Sequence, residues 1–179
     1  MNPIVTVPNA VLTTPAKPVT AFDKQLARLI ADMKKTLLAT KSPKGVGLAA
    51  PQIGEAYRVF ITRPNEKSKI RVFINPEIIS RQGETDGVPE RNNKLEGCLS
   101  IPKIWGKVKR SQSLTLRYQD ETGKTHKEEF TGFLATIIQH ETDHINGILF
   151  TQRVLEQQGK LYQGTKDKEG KEVLEEISI

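Results

Sequence analysis

The residues best suited to chemistry lie in the stretch Gln139–His144, which contains the pattern His-Glu-x-x-His. Residues four apart share one face of an α-helix, so His140 and His144 can direct two imidazoles at one metal ion. Glu141 follows the first histidine and can act as a general base beside that metal. Apolar residues precede the pattern and predict that this last helix of the chain, roughly Gly132 to Ile145, is buried in the core.

A hydrolytic metal site needs a third protein ligand and one open position. No histidine follows His144, and His126 has charged neighbours that predict an exposed side chain rather than a ligand. The single cysteine, Cys98, has two interpretations. It is either an inert buried side chain or a metal ligand at the end of a strand.

Three stretches, in this order, together resemble the peptide deformylase family. They are Gly45-Val46-Gly47-Leu48-Ala49-Ala50-Pro51-Gln52, Glu96-Gly97-Cys98-Leu99-Ser100, and Gln139-His140-Glu141-Thr142-Asp143-His144 with Gly147. Each motif alone is moderately specific, whereas the three together are highly specific. The resemblance extends from about Val7 to Phe150, and the tail after Arg153 lies outside it.

The resemblance implies a set of ligands and a cofactor. Cys98, His140 and His144 would hold one divalent metal ion. The family points to Fe2+ as the ion in the cell, with Zn2+, Ni2+ and Co2+ as alternatives, because one thiolate and two imidazoles suit all four.

The resemblance also implies an activity, the removal of the N-formyl group from the formyl-methionine of newly made polypeptides. Glu141 would move the protons, while the side-chain amide of Gln52 and the backbone N–H of Leu99 would stabilise the oxyanion. The substrate would be bound by Val46, Gly47, Leu99 and Ile137. For Ile137, an ordinary place in the core is the alternative.

Length and composition indicate one soluble domain covering residues 1–179, in which residues 156–179 form a charged C-terminal extension, and the resemblance implies that this domain is catalytic. The chain is 36% hydrophobic and 27% charged, and it has a single cysteine. No apolar run is long enough for a membrane span and no signal peptide is evident, so we expect a cytoplasmic protein. The net charge of +6 is compatible with transient ribosome association, but a solvated helix face is the favoured explanation, and no specific nucleic-acid motif is present.

The expected fold class is α+β, with short antiparallel sheets around the central metal-binding helix, an N-terminal helix and a β C-terminal tail. Thr20 is expected to cap the N-terminal helix, which should end near Thr40. The predicted strands are Tyr57–Thr62, Arg71–Ser80 with an interruption at Asn75-Pro76, Lys107–Arg110, Ser113–Gln119 and His126–Phe130. In the tail, Val173, Ile177 and Ile179 favour strands, although a helix through Lys171 to Ile177 is the alternative.

Some interpretations stay open at this point. A zincin-type protease would use the same helix without Cys98, and a non-catalytic relative would only bind formylated chain ends or the ribosome. Asp143 could accept a hydrogen bond from a ligand histidine, pair with Arg110, or simply face solvent.

Overall fold

The computed structural model describes residues 2–41 and 43–177, and in these ranges two antiparallel sheets and three helices form an α+β fold. The helices are α1 (Lys24–Ala39), α2 (Gly132–Ile145) and α3 (Phe150–Glu156). The first sheet has the order β1 (Gly47–Ala49), β2 (Val59–Thr62), β3 (Arg71–Gln82), β6 (Ser113–Gln119), β7 (Thr125–Thr131), and the second has the order β4 (Glu96–Cys98), β5 (Ile101–Gly106), β8 (Leu161–Lys166), β9 (Glu172–Ile177). The predicted fold class is therefore confirmed.

The first sheet is covered on both faces in its β1–β3 half. Because successive residues of a strand point to opposite faces, Leu48 and Ile61 pack with α1 in one core cluster. Ala49 and Phe60 pack with α2 in another. All four are fully buried. Helix α2 therefore packs on the face of the first sheet opposite to α1.

Helix α2 has the bounds that were predicted, and its buried residues occupy nearly every turn. The helix ends at Ile145, and Gly147 follows just after its C-cap residue Asn146. Gly147 has φ +73°, and a Cβ there would lie 2.9 Å from backbone atoms of Thr13. Only glycine permits this close approach of the N-terminal segment to the end of the helix.

The start of α1 differs from the prediction. Asp23, not Thr20, caps the helix, and its carboxylate accepts hydrogen bonds from the N–H groups of Gln25 and Leu26 at 2.9 and 3.0 Å. A carboxylate both satisfies the free N–H groups and complements the positive end of the helix, which favours Asp23. The helix ends at Ala39, next to the predicted Thr40.

The interruption at Asn75-Pro76 is confirmed as a bulge between β3 and β6. The pairing shifts between Ile74 and Glu77, and Asn75 has φ +49°. The Asn75 amide exchanges hydrogen bonds with the backbone of Val19, both at 2.8 Å. The irregular backbone thus anchors the segment that precedes α1.

The predicted strand Lys107–Arg110 is wrong, and the adjacent strand β5 was missed. The backbone of this stretch bonds to a side chain and a loop instead: Lys109 N–H donates to Gln157 Oε1 at 2.8 Å, and Arg110 C=O accepts from Thr85 N–H at 2.7 Å. Strand β5 was not predicted because it contains Pro102 and Gly106, and both residue types weaken the sequence pattern of a strand.

Two further differences concern helices. The four prolines within residues 1–19 predict a mostly extended segment, but this segment contains a 3-10 turn at Ala10–Thr13. Helix α2 is not the last helix, because α3 follows it and buries Phe150 and Val154. With two inward residues in seven, α3 is too short for a helical period to be visible in the sequence.

The predicted β-structure of the tail is confirmed, because β8 and β9 form a hairpin that joins the second sheet. Strand β8 pairs with β5, so that Tyr162 lies opposite Trp105. Of the residues behind the prediction, Val173 and Ile177 lie in β9, whereas Ile179 falls outside the described residues. Among the described helices, none combines the length and hydropathy needed to cross a membrane.

Candidate metal centre and active site

Three side chains from two separate layers converge on one point. Cys98 ends β4 in the second sheet, while His140 and His144 lie one turn apart on α2. One donor atom from each residue lies within 4.8 Å of the other two. Cys98 Sγ is 3.2 Å from His144 Nε2, and the two imidazole rings are 4.9 Å apart. The helical spacing and the strand end therefore bring together the three predicted ligands.

The donor set fits a divalent transition metal. A thiolate and two imidazoles are ligands for zinc and ferrous iron, and their mutual distances suit a common centre about 2.0–2.3 Å from each. His144 Nδ1 has no hydrogen-bond partner among the described residues, and its Nε2 faces the sulfur. Three protein ligands leave the fourth position of a tetrahedron for water or substrate.

His140 is oriented from behind by Glu96. Its Nδ1 lies 2.6 Å from Glu96 Oε1, which leaves Nε2 for the metal side. Glu96 is buried with Arg110, which donates to both carboxylate oxygens at 2.7 and 3.1 Å. Burial raises the pKa of Glu96, but the charges of Arg110 and His140 outweigh it and hold that pKa well below its usual range. Glu96 is therefore an anion that fixes the ligand histidine.

Asp143 extends this network, and of the three alternatives left open by the sequence the structure shows the pairing with Arg110. Arg110 Nη1 donates to Asp143 Oδ2 at 2.6 Å, and Arg153 Nη2 donates to Oδ1 at 2.8 Å. The acceptor behind the ligand histidine is Glu96 rather than Asp143. Glu96, Arg110 and Asp143 thus link His140 to Arg153 on α3 in one continuous network of charged side chains.

Glu141 lies beside the candidate ligands with a nearly inaccessible carboxylate. It is 3% exposed, and its Oε2 has no hydrogen-bond partner among the described residues. Burial raises the pKa of Glu141 to about 7. Gly47 is packed against it, because a Cβ at that position would lie 2.3 Å from Glu141 Oε1. The absence of a side chain at Gly47 therefore leaves room for this carboxylate in the pocket wall.

Gln52 reaches the same centre from a 3-10 turn, Ala50–Ile53. Its Oε1 accepts a hydrogen bond from Ala49 N–H at 2.9 Å. This bond assigns the amide orientation and turns the Nε2 donor toward Cys98 Sγ at 3.5 Å and Ser100 Oγ at 3.2 Å. An N–H donor is thus fixed next to Cys98, one of the three candidate ligands, before any substrate arrives.

One pocket is lined by four of these groups, Cys98, His140, Glu141 and Gln52, together with the predicted substrate-binding residues Val46, Gly47, Leu99 and Ile137. Ile137 is buried, and its Cγ2 would be 2.9 Å from a Cβ on residue 47. Ile137 is therefore both a core residue and a pocket wall, and the substrate contacts of these four residues stay predictions.

His126 lies apart from the metal cluster. Its Nε2 is 2.6 Å from Asp120 Oδ2, and its ring stacks on Tyr118. It is about one-third exposed, so the expectation of a residue outside the cluster agrees with the structure.

Glu96 had no role assigned from the sequence, although a signal was available. It stands two residues before Cys98 on a strand, and such residues point to the same face. The contribution of Arg153 had no signal, because its position depends on α3. Arg91 and Trp105, which also line the pocket, were likewise missed.

Comparison with known proteins gives a consistent result. A family model described as polypeptide deformylase matches residues 1–160. Peptide deformylase 1 of Bacillus cereus is 42% identical over 151 residues, which cover 84% of this chain and 90% of that protein. The peptide deformylase of Heliobacterium modesticaldum is 48% identical over 145 residues, covering 80% and 87%.

Solved structures agree with the fold. The crystal structure of peptide deformylase from Thermotoga maritima superposes with a TM-score of 0.76 at 36% identity and covers 86% of this chain and 97% of that one. The structure from Synechococcus elongatus in complex with actinonin has a TM-score of 0.75 at 35% identity, covering 85% and 79%. The motifs, the converging cysteine and histidines, and these similarities have one common explanation: the chain belongs to the polypeptide deformylase family, whose members hydrolyse the N-formyl group of nascent polypeptides.

Proposed function

We propose that this site removes formate from the N-terminal formyl-methionine of newly made polypeptides, within one catalytic domain spanning residues 1–179. The observation that carries the proposal is that Cys98 and His140, which converge with His144, line the same pocket as Glu141 and Gln52. A zincin-type protease would need no cysteine at this point. A purely binding protein would need neither a buried, unpaired carboxylate nor an oriented amide.

The two histidines and the cysteine would hold one divalent ion, which would supply Lewis acidity for the activation of water and of the formyl carbonyl. Glu96 and Arg110 keep His140 in the orientation that ligation requires. We take the ion in the cell to be Fe2+, with Zn2+, Ni2+ and Co2+ as alternatives that the same donors accept.

Glu141 handles the protons. Its free Oε2 lies in the pocket wall next to the ligands, where it takes a proton from the attacking water and later delivers it to the departing amine nitrogen. Burial keeps this carboxylate away from competing bulk water. Its packing against Gly47 limits its movement during the reaction.

Gln52 supplies a donor for the oxyanion that forms on the formyl oxygen. Its Nε2 is held in place by the bond from Ala49 N–H to Oε1, so little reorganisation is needed as negative charge develops. The backbone N–H of Leu99 is the second donor, supported by the position of Leu99 in the pocket wall. Losing one such donor typically costs about 3–4 kcal/mol in the barrier.

The peptide chain binds in extended form between two sheet edges. Strand β1, which contains Gly47, is the first strand of one sheet, and β4, which contains Cys98, is the first strand of the other. Each therefore has one side free to pair with an added strand. Val46, Leu99 and Ile137 line the pocket for the methionine side chain.

The direct test is hydrolysis of formyl-Met-Ala-Ser, with the acetylated and free peptides as controls. We expect turnover of the formylated peptide alone, with release of formate. Cys98→Ala should lose both metal and activity, whereas a zincin-type protease would keep its metal. Absence of turnover in metal-loaded wild-type protein would refute the proposed function.

The identity of the metal can be tested separately by loading apo-protein with Fe2+, Ni2+ or Zn2+. We expect high initial turnover with Fe2+ that decays in air or peroxide, because ferrous iron and the Cys98 thiolate both oxidise. The zinc-loaded protein should keep its activity in air or peroxide, since zinc has no accessible redox change. Equal and peroxide-resistant activity with all three ions would contradict the assignment of iron.

We further propose a cytoplasmic location and a transient contact with the ribosome. The contact is supported by the net charge of +6, because ribosomal RNA attracts basic proteins. Cosedimentation with ribosomes at low salt that disappears at high salt is expected. Absence of cosedimentation at low salt would leave the charge as a property of the solvated surface.

A further inference from the structure

The charged residues that line the pocket differ between its interior and its rim. Among the described residues, the lining includes two carboxylates, Glu96 and Glu141, and both are buried at the reaction centre. The lining cations at less buried positions are Lys44 and Arg91. The opening therefore carries positive charge without an exposed carboxylate beside it on the pocket wall.

The two cations are not equivalent. Lys44 is exposed and already pairs with Glu66 outside the pocket. Arg91 is half-buried and has no carboxylate partner among the described residues. Its Nη1 donates to Leu95 C=O at 2.9 Å, while Nε and Nη2 donate to no acceptor in the described part of the chain. Arg91 thus retains free donors and has no salt-bridge partner among the described residues.

Arg91 is also held in a fixed place. Its guanidinium carbon lies 5.1 Å from the centre of the Trp105 ring, within the range of a cation–π interaction. Trp105 is positioned in turn by Gly97, since a Cβ on Gly97 would lie 2.6 Å from the ring. Trp105 stands opposite Gly97 in the β4–β5 ladder, so the motif that contains Cys98 also places the cation.

A half-buried guanidinium gains most from a planar anion that can accept two hydrogen bonds. Burial lowers the pKa of Arg91, and the charge of Glu96 acts in the opposite direction. Since Glu96 is occupied by His140 and Arg110, the free donors of Arg91 remain available to a ligand in the pocket.

We infer that Arg91, held on Trp105, is a specificity-determining residue that favours acidic side chains at the second or third position of the formylated peptide. This inference rests on the proposed function, because the acidic side chain must belong to a peptide bound with its formyl group at the metal centre. The peptide leaves the pocket past the rim, where a Glu or Asp carboxylate meets the guanidinium.

The test compares two isosteric substrates, formyl-Met-Glu-Glu amide and formyl-Met-Gln-Gln amide. We expect wild-type kcat/KM to be about two- to fivefold higher for the acidic peptide at low salt, as for a partly exposed ion pair. The ratio should fall toward one as salt increases. In Arg91→Gln the ratio should be close to one at every salt concentration.

Two further variants separate a local contact from the overall field of a basic protein. Arg91→Lys should keep part of the preference, because the charge remains while the planar fork is lost. Lys44→Gln removes the other rim cation and should keep most of the preference, because Lys44 is already paired.

The outcomes are distinguishable. If wild-type protein deformylates neither peptide, the proposed function fails. If it deformylates both peptides at equal rates, or prefers the Gln-containing peptide, only the role of Arg91 is refuted. This result needs no variant to fold. A preference that survives Arg91→Gln and disappears in Lys44→Gln would also overturn the assignment.

Discussion

At the scale of the residue, the site depends on a missing side chain as well as on its reactive groups. Gly47 has no Cβ, and this leaves space for Glu141 Oε1 and Ile137 Cγ2. Gln52 contributes through its amide orientation, which the N–H of Ala49 determines. Each reactive group therefore depends on a neighbour that performs no chemistry, and single substitutions can separate these contributions.

Glu141→Ala should retain metal and lose turnover, because Glu141 moves protons and does not ligate. The expected loss in kcat is roughly 10²–10⁴-fold, the usual contribution of a general acid–base. Metal content by elemental analysis and kcat on formyl-Met-Ala-Ser measure the two effects. Near-normal turnover in the metal-loaded variant would show that another group accepts the proton.

Glu96→Gln should weaken metal binding by about 10–100-fold, as for other acceptors behind ligand histidines. The substitution preserves the shape but removes the charge that His140 and Arg110 share. Glu77→Gln is the matched control, since Glu77 pairs with Arg117 at the surface. Equal metal dissociation constants for both variants would mean that Glu96 serves folding alone.

At the scale of the element, the C-terminal hairpin covers the edge of β5, the strand that contains Trp105. Leu161 packs with Phe150 and Val154 in the core beneath the second sheet. The position of Gly106 depends on this packing, because a Cβ there would lie 3.0 Å from Leu161 Cδ2. The hairpin therefore supports the strand next to the cysteine motif.

Leu161→Ala should lower the free energy of unfolding by about 2–5 kcal/mol, the range for buried leucines. Leu174→Ala in the same hairpin should change it by less than about 0.5 kcal/mol, because Leu174 is 42% exposed. Urea unfolding of the two variants measures the difference. A similar small effect from both would indicate that the hairpin does not contribute to the core.

At the scale of the whole molecule, the candidate metal ligands come from two different layers. Cys98 belongs to the second sheet, while both histidines belong to the helix that packs on the first. An ion bound to all three would connect the sheets and would bind the folded chain only. Its affinity would then contribute to the stability of the molecule.

Removal of the metal by a chelator should therefore lower the unfolding temperature, and metal in excess should restore it. At a free concentration of 1,000 times Kd, the expected stabilisation is about 4 kcal/mol. Cys98→Ala provides the control, since its unfolding temperature should respond little to the chelator. An unchanged unfolding temperature in wild-type protein shown to be metal-free would refute this coupling.

The local secondary structure of this protein could largely be predicted from the sequence. Helix α2 with its histidines, the strand Ser113–Gln119 and the β-structure of the tail follow from periodicity, because side-chain spacing is a property of the backbone itself. The three motifs indicated the family, and the deformylase resemblance supplied the third ligand, Cys98.

The tertiary structure decided which distant residues meet. Glu96 reaches His140 across 44 residues of sequence, and Arg110 reaches Asp143 across 33. Such pairs have no periodic signature, because they depend on how β4 packs against α2. For the same reason Lys107–Arg110, predicted as a strand, instead directs a buried arginine into the network. Spacing along the chain determined the ligands on α2, and packing between layers determined the charges that hold them.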